Sequence, residues 1–295
     1  NCEDIDDTFS YFENDKIIEL GIHIAQPIYW LSKEDLDRLS LFKFSSLYSN
    51  KRLDLFGEEL TLRSSLKKEI ERPAYSIIFK YNINPSVEDF DIELFPSFIT
   101  VDENFSYDSP QLKSIDQCLK LKKLTDRLNG MDNDYHKIVE FWMIKTNSII
   151  GNKLSNEFKM TIPYRINRIS EAECVDSAES VESNAMHCNQ DIDTPKNICD
   201  AFRFRNMNKA IYKYPDCSED NCFHHSLQIS KYCHFTSPIR RVIDTYIHLC
   251  ITYGININYL DLDLINKIES NTKKFHNELE YKDKLNRFSM TESNA

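Results

Sequence analysis

The apolar residues of this chain change their period near residue 101, and that change sets the fold class. Ahead of it, Thr8 to Phe12 and Ile17 to Ala25 flank a polar turn at Glu13-Asn14-Asp15 and predict a hairpin. Ala74 to Ile83 and Asp91 to Val101, rich in Ile, Phe and Tyr, predict two further strands. Beyond it the spacing becomes helical. Leu112, Ile115, Leu119 and Leu124 recur ahead of Gly130, and Ile138, Val139, Trp142, Met143, Ile149 and Ile150 share one face of Tyr135–Leu154. One helix sits among the strands: Ser32 and Asp35 form a capping-box pattern, with its helix expected to reach about Ser46. The expected fold is mixed α+β (α/β), with strands in the N-terminal half and helices packed around a mixed sheet.

Composition narrows the function. With 41% hydrophobic residues, a chain of 295 residues builds a sizeable core. Five glycines and the lack of any GxGxxG or GxxxxGK[ST] run argue against a glycine-rich phosphate loop. No apolar run reaches the length of a membrane span, and no charged-then-apolar leader opens the sequence, so no membrane partner is expected. Nine cysteines without regular spacing point to reduced thiols in an intracellular protein, for which a cytoplasmic rather than a nuclear location is the expectation. Cys217, Cys222, His224 and His225 are too loosely spaced, and lack a second ligand pair, for a zinc site. The net charge of −11 speaks against a nucleic-acid partner until its distribution is considered. Residues 169–195 hold seven acids and no Lys or Arg. They are expected to be a solvated, disordered insertion in one domain spanning 1–285, followed by a frayed tail at 286–295.

Two clusters carry chemistry. In His234-Phe235-Thr236-Ser237-Pro238-Ile239-Arg240-Arg241, Ser237 fits an N-cap and Pro238 a first helical position. Ile239, Val242, Ile243, Tyr246, Ile247 and Cys250 then recur until Gly254. Two arginines in a first turn oppose the helix dipole by about 0.3–1 kcal/mol each. Together with Thr236, Ser237 and free backbone N–H groups they would suit a phosphate. The plainer reading is that both arginines pair with Asp244 on a solvated face. The second cluster is Asp4-Ile5-Asp6-Asp7. Three carboxylates in four residues repel one another unless cations lie between them, and such hard oxygen ligands suit Mg²⁺ or Mn²⁺. Two such ions serve phosphodiester hydrolysis, whereas an acidic turn would need none. Phe202-Arg203-Phe204-Arg205 and Lys209–Tyr214 interleave cations with aromatics, as an RNA path or a helix with a snorkelling basic edge would.

In chain order these segments resemble the catalytic (RNB) domain of the RNase II family. Asp4-Ile5-Asp6-Asp7-Thr8-Phe9-Ser10 is similar to its DIDDALS motif, and Leu20-Gly21-Ile22-His23-Ile24-Ala25 to its V-x-V-H-I-A strand. Ser64-Ser65-Leu66 followed by Glu71-Arg72-Pro73 resembles C-S-L-x5-R-P, and His136 to Met143 with Asn147 resembles N-x-I-V-E-E-x-M with its later Asn. Tyr232 to Asp244 is similar to Y-x-H-F-T-S-P-I-R-R-Y-x-D almost throughout, with His224 at the family's spacing before it.

The resemblance implies a 3′→5′ exoribonuclease that hydrolyses single-stranded RNA to nucleoside 5′-monophosphates with Mg²⁺ (or Mn²⁺). It implies metal-binding roles for Asp4, Asp6 and Asp7, with Asp6 also catalytic, and a catalytic phosphate contact for Arg240. RNA contacts are implied for Tyr48 on the terminal base, Tyr107 on a sugar, Glu140 on a 2′-hydroxyl, and Thr236, Ser237 and Arg241 beside Arg240. Glu280 matches a late family Glu only loosely. Departures are Gln26 for an Asp, Phe141 for a Glu and Val242 for a Tyr. The family's fourth acid would fall six positions ahead of Asp4, upstream of Asn1. Flanking cold-shock and S1 domains, or a larger RNA-decay complex, would supply the RNA affinity that this acidic domain lacks. Two other expectations remain open: a catalytically silent RNB-like module that binds RNA or acts as a scaffold, and a phosphodiesterase acting on small nucleotides.

Overall fold

A computed structural model describes residues 4–41, 43–48, 52–83, 90–167, 209–215 and 222–292, apart from the side chains of 279, 280 and 283 onward. The acidic insertion, Phe202–Arg205 and Cys217 lie outside the described residues, as does the Glu280 side chain.

Strands β1 (Asp7–Glu13), β2 (Ile17–Ala25), β3 (Glu71–Asn82) and β4 (Phe90–Thr100) form a four-stranded sheet in the order β1-β2-β3-β4. The mixed α+β fold is as expected, but every pairing in this sheet is antiparallel, not mixed. Short connections dictate this for β1–β2 and β3–β4, because parallel neighbours need long crossovers, whereas β2 and β3 pair antiparallel across a long connection. Alternation then decides the faces. Leu20, Ile22 and Ile24 of β2 and Ile77 and Phe79 of β3 are fully buried, while Glu19, His23 and Lys80 point the other way.

Helices α1 (Lys33–Ser40), α2 (Glu58–Ser64), α3 (Asp116–Asn129), α4 (Tyr135–Asn156), α5 (Val242–Tyr253) and α6 (Leu262–Glu292) complete the described residues with the short strands β5 (Tyr164–Ile166), β6 (Ile211–Lys213), β7 (Phe223–His224) and β8 (Ile229–Ser230). Ser32 caps α1 by accepting from the Asp35 N–H at 3.1 Å, as the capping-box pattern predicts. The helix stops at Ser40, six residues short of expectation. Residues 44–46 are instead pulled into extended pairing with the 240–242 segment: Ser46 N–H donates to the Arg240 carbonyl at 3.0 Å, and Val242 N–H to that of Phe44 at 2.9 Å. At the other end, α6 runs on to Glu292 through residues expected to fray.

α5 is buried at every position from Val242 to Cys250 and is therefore the central helix, with Asp244, Thr245 and His248 buried among its apolar residues. Trp142 of α4 packs against Phe79 of the sheet at 5.3 Å between ring centroids. Gly151 lets α4 approach the 231–233 segment. A Cβ there would lie 1.9 Å from the Lys231 carbonyl oxygen, which is backbone and cannot rotate away. Gly151→Ala is expected to cost about 3 kcal/mol or more, lowering the melting temperature by roughly 5–10 °C. Thermal unfolding followed by circular dichroism tests this, and a shift under about 2 °C would show that the segment yields without strain.

Candidate active site

The site is assembled from opposite ends of the chain. Ala25 N–H donates to the Asp6 carbonyl at 2.8 Å, fixing the acidic run at one end of β2. Asp6 is 4% exposed, and its two oxygens are both engaged by the distant arginine run. Oδ1 accepts from the Ile239 N–H at 2.8 Å and Oδ2 from Arg240 Nε at 3.0 Å. Arg240 also donates from Nη2 to Ser237 Oγ at 2.8 Å, yet its side chain remains 46% exposed. Charge-assisted bonds of this kind hold the guanidinium in place while leaving part of it available to a ligand. Asp4 is buried beside them. It accepts a hydrogen bond from the Tyr48 hydroxyl, and Arg52 Nη1 lies 3.8 Å from its Oδ1. Tyr48 is 41% exposed at the rim of the acids, with the Arg52 guanidinium 6.0 Å from its ring centroid.

The two arginines do different work. Arg241 pairs with Asp244 at 2.8 Å, but on a buried rather than a solvated face, since Asp244 is 0% exposed. Nor do the arginines occupy a first helical turn. Arg240 lies in a turn and Arg241 is the residue preceding α5, so Ser237 is not its N-cap. Buried polar groups hold that turn instead. Asp244 Oδ1 accepts from the Ser237 N–H at 2.8 Å, and Thr245 Oγ1 donates to the Pro238 carbonyl at 2.7 Å. His248 Nε2 donates to the Phe235 carbonyl at 3.0 Å, and Asn147 of α4 accepts from the Phe235 N–H at 2.8 Å. Thr236 and Ser237 are themselves buried and do not face solvent, and Ser237 supports Arg240 by accepting from its Nη2.

Tyr107 and Glu140 belong to a second, exposed group. Tyr107 stacks on His136 with centroids 4.0 Å apart, and Glu140 lies one helical turn further along α4. His136 was not singled out from the sequence, although its spacing of four from Glu140 places both on one face. Tyr212, expected on an RNA path, is buried beneath Arg165, whose guanidinium sits 4.5 Å from its ring. It cannot stack on a base there.

Burial dominates the electrostatics. It pushes the Asp6 carboxyl up to about 7 even though Arg240 and the Ile239 N–H work against it, with Asp7 and Asp244 adding to the rise. Burial likewise raises Asp7 to about 6, opposed by Arg240. Burial and the Asp4 carboxylate together push the Tyr48 phenol up. Among the described residues, no three His, Cys, Asp or Glu side chains are arranged to hold a metal ion. The donors are nevertheless hard oxygens whose buried negative charge Arg240 only partly offsets, a chemistry that fits a hard divalent cation.

A testable consequence follows for Asp7. Its folded pKa lies above the unfolded value, so the native state binds more protons between about pH 4 and 6, and stability falls as pH rises through that window. Because Asp7 is only half-buried, the cost at pH 8 is roughly 1–2 kcal/mol. In EDTA, Asp7→Asn is expected to melt a few degrees higher than wild type at pH 8. That gain should mostly disappear at pH 4, and equal melting temperatures at pH 8 would refute it.

Comparison with known proteins decides the family. The RNB domain family model matches residues 1–123 and 111–255. The chain belongs to the RNB family. The RNB domain here is 26% identical to human exosome complex exonuclease RRP44 over 331 residues, covering 88% of this chain and 34% of that protein. It is also similar in fold to Mycoplasma genitalium RNase R, solved with ribose-methylated single-stranded RNA (TM-score 0.74, 18% identity, 95% of this chain and 55% of that one). Yeast Ssd1, a pseudonuclease, shares the fold too (TM-score 0.70, 13% identity, 94% and 41%). The RNB domain thus spans about a third to a half of the length of these relatives.

Proposed function

We propose that this RNB domain is a 3′→5′ exoribonuclease that hydrolyses single-stranded RNA to nucleoside 5′-monophosphates. The observation that carries the reading is the pairing of Asp6 with Arg240. A buried acid and a half-exposed guanidinium, 234 residues apart, are held together beside Asp4 and Asp7. A scaffold has no need to bury that charge, whose burial costs stability.

Asp4, Asp6 and Asp7 would hold divalent ions, Mg²⁺ or Mn²⁺. When bound, such ions supply an activated water and stabilise the leaving oxygen. Arg240 contacts the scissile phosphate and stabilises the charge that builds up in the transition state. Tyr48 stacks on the terminal base at the rim of the acids. Tyr107, backed by His136, meets a sugar, and Glu140 accepts from a ribose 2′-hydroxyl, which selects RNA over DNA. Thr236 and Ser237 position Arg240. The whole of residues 1–285 acts as one catalytic unit, working inside the cell, in the cytoplasm, where the thiols of Cys118, Cys222, Cys233 and Cys250 stay reduced. Oligonucleotide-binding domains or a larger RNA-decay complex add affinity.

The likeness to Ssd1 keeps a second reading alive, an RNB domain that binds RNA without cutting it. The full-length chain, given Mg²⁺ and 3′-labelled single-stranded RNA, should release labelled nucleoside 5′-monophosphate. Binding without release of any mononucleotide would establish the silent reading.

A further inference from the structure

The outer face of the four-stranded sheet carries a polar row that the exoribonuclease chemistry does not use. Ser10 of β1, His23 of β2, Ser76 of β3 and Ser97 of β4 are joined one to the next across all four strands. His23 Nε2 lies 2.9 Å from Ser10 Oγ, and His23 Nδ1 lies 2.7 Å from Ser76 Oγ. Ser76 Oγ is in turn 2.7 Å from Ser97 Oγ. Gly21 makes room for the first of these contacts. A Cβ there would collide with Ser10 Oγ and lie 2.7 Å from His23 Nε2, so both side chains fold over bare backbone.

The chemistry of the row gives it a direction. Ser97 Oγ lies 3.3 Å from the Ala74 carbonyl, which can only accept. With its single hydrogen committed there, Ser97 accepts from Ser76, and Ser76 then accepts from the Nδ1–H of His23. Burial lowers the pKa of His23 and favours the neutral ring. A neutral ring with its hydrogen on Nδ1 has a lone pair on Nε2, to which the Ser10 hydroxyl donates. A hydroxyl bonded to an imidazole that a third group orients is the arrangement of an activated nucleophile. Ser76 is 2% exposed, whereas Ser10 is exposed, so the nucleophile is the end of the row that solutes can reach. Phe12, two residues along β1, and Phe95, opposite Ser76, are exposed on the same face and give an apolar group a place to rest.

We propose that Ser10, with His23 as general base and Ser76 as the group orienting it, is an acylation site for acyl thioesters and activated acyl esters. Ser10 Oγ attacks the acyl carbonyl carbon as its proton passes to His23 Nε2. The bond from that carbon to the thiolate or alkoxide breaks, and the leaving group takes the proton from Nε2. The products are an ester on Ser10 and a free thiol or alcohol, and no metal or oxidant takes part. The site is thus independent of the exoribonuclease reading.

The test treats the full-length chain with p-nitrophenyl butyrate in EDTA and follows each serine by peptide mass spectrometry. Hydroxylamine, which cleaves esters and spares lysine amides, identifies the O-acyl product. Ser114 is the internal reference, an exposed serine whose hydroxyl donates to the Gln111 carbonyl and meets no base. Ser10 should be acylated about 100-fold faster than Ser114, the lower end of what a positioned general base contributes. His23→Gln, which keeps an amide between the two serines but has no basic nitrogen, should bring Ser10 down to the Ser114 rate. Ser76→Ala leaves Ser10 and His23 in place and should slow acylation severalfold, because the ring is then free to carry its hydrogen on Nε2. A Ser10 rate no higher than that of Ser114, or one that neither substitution changes, would overturn the proposal and leave the row as a tie between strands.

Discussion

Replacing Asp6 by Asn is expected to slow nucleotide release by roughly two to three orders of magnitude, the scale seen when one preorganised group for transition-state charge is lost. Asp6 Oδ1 accepts from the Ile239 N–H and Oδ2 from Arg240 Nε. Asn keeps one acceptor, which goes to the buried Ile239 N–H. Its amide N–H groups then face Arg240 donor to donor, so the guanidinium loses its anchor just as a metal-ligating oxygen is removed. The fold should survive, because the loss of a buried charge whose pKa burial has pushed up to about 7 offsets the lost bond. RNA binding in EDTA should be equal or tighter, since one negative charge has left the path of the phosphates. Single-turnover release from 3′-labelled RNA, read alongside the dissociation constant, separates the two effects. A variant that keeps activity within tenfold of wild type would remove Asp6 from the chemistry.

Much of this was legible in the sequence for physical reasons that can be named. The β1–β2 hairpin follows from alternation on either side of a polar turn, and its bounds at Ile17 and Ala25 agree with the structure. The acidic run and the arginine run stand out because each places like charges side by side in a short stretch. What the sequence did not disclose is how those runs divide the work. Arg240 and Arg241 look equivalent in a first turn, but the turn is broken by pairing with Phe44 and Ser46, a contact about 200 residues distant in sequence. That pairing also shortens α1 and sets the loop that carries Tyr48. Asn147 and Asp244 did carry a signal, as polar residues inside apolar helical faces, and such residues are retained where they satisfy buried backbone groups. The burial of Tyr212 had none, because β6 is only three residues long and shows no period. Tyr107 and His136 meet through tertiary packing, which spacing along one element does not report.

Asp244→Asn should be the most destabilising of the conservative changes at this site. Asp244 is fully buried, and its Oδ1 accepts from both the Ser237 N–H and Arg241 Nη2 at 2.8 Å. Asn retains an acceptor for the backbone, but leaves Arg241 with no countercharge inside the protein. Breaking a buried ion pair from one side costs about 3–5 kcal/mol, equivalent to a fall in melting temperature of roughly 6–15 °C. Activity should fall with it, because Ser237 both steadies the turn and accepts from Arg240. Removing both charges together, as Arg241→Met with Asp244→Leu, is expected to restore much of the stability, since a well-packed apolar pair often matches a buried ion pair. Denaturant unfolding of the single and double variants measures this directly. The double variant also settles what Arg241 does. If its role is to hold the turn, RNA binding returns with stability; if the double variant is stable and still fails to bind RNA, Arg241 contacts the substrate.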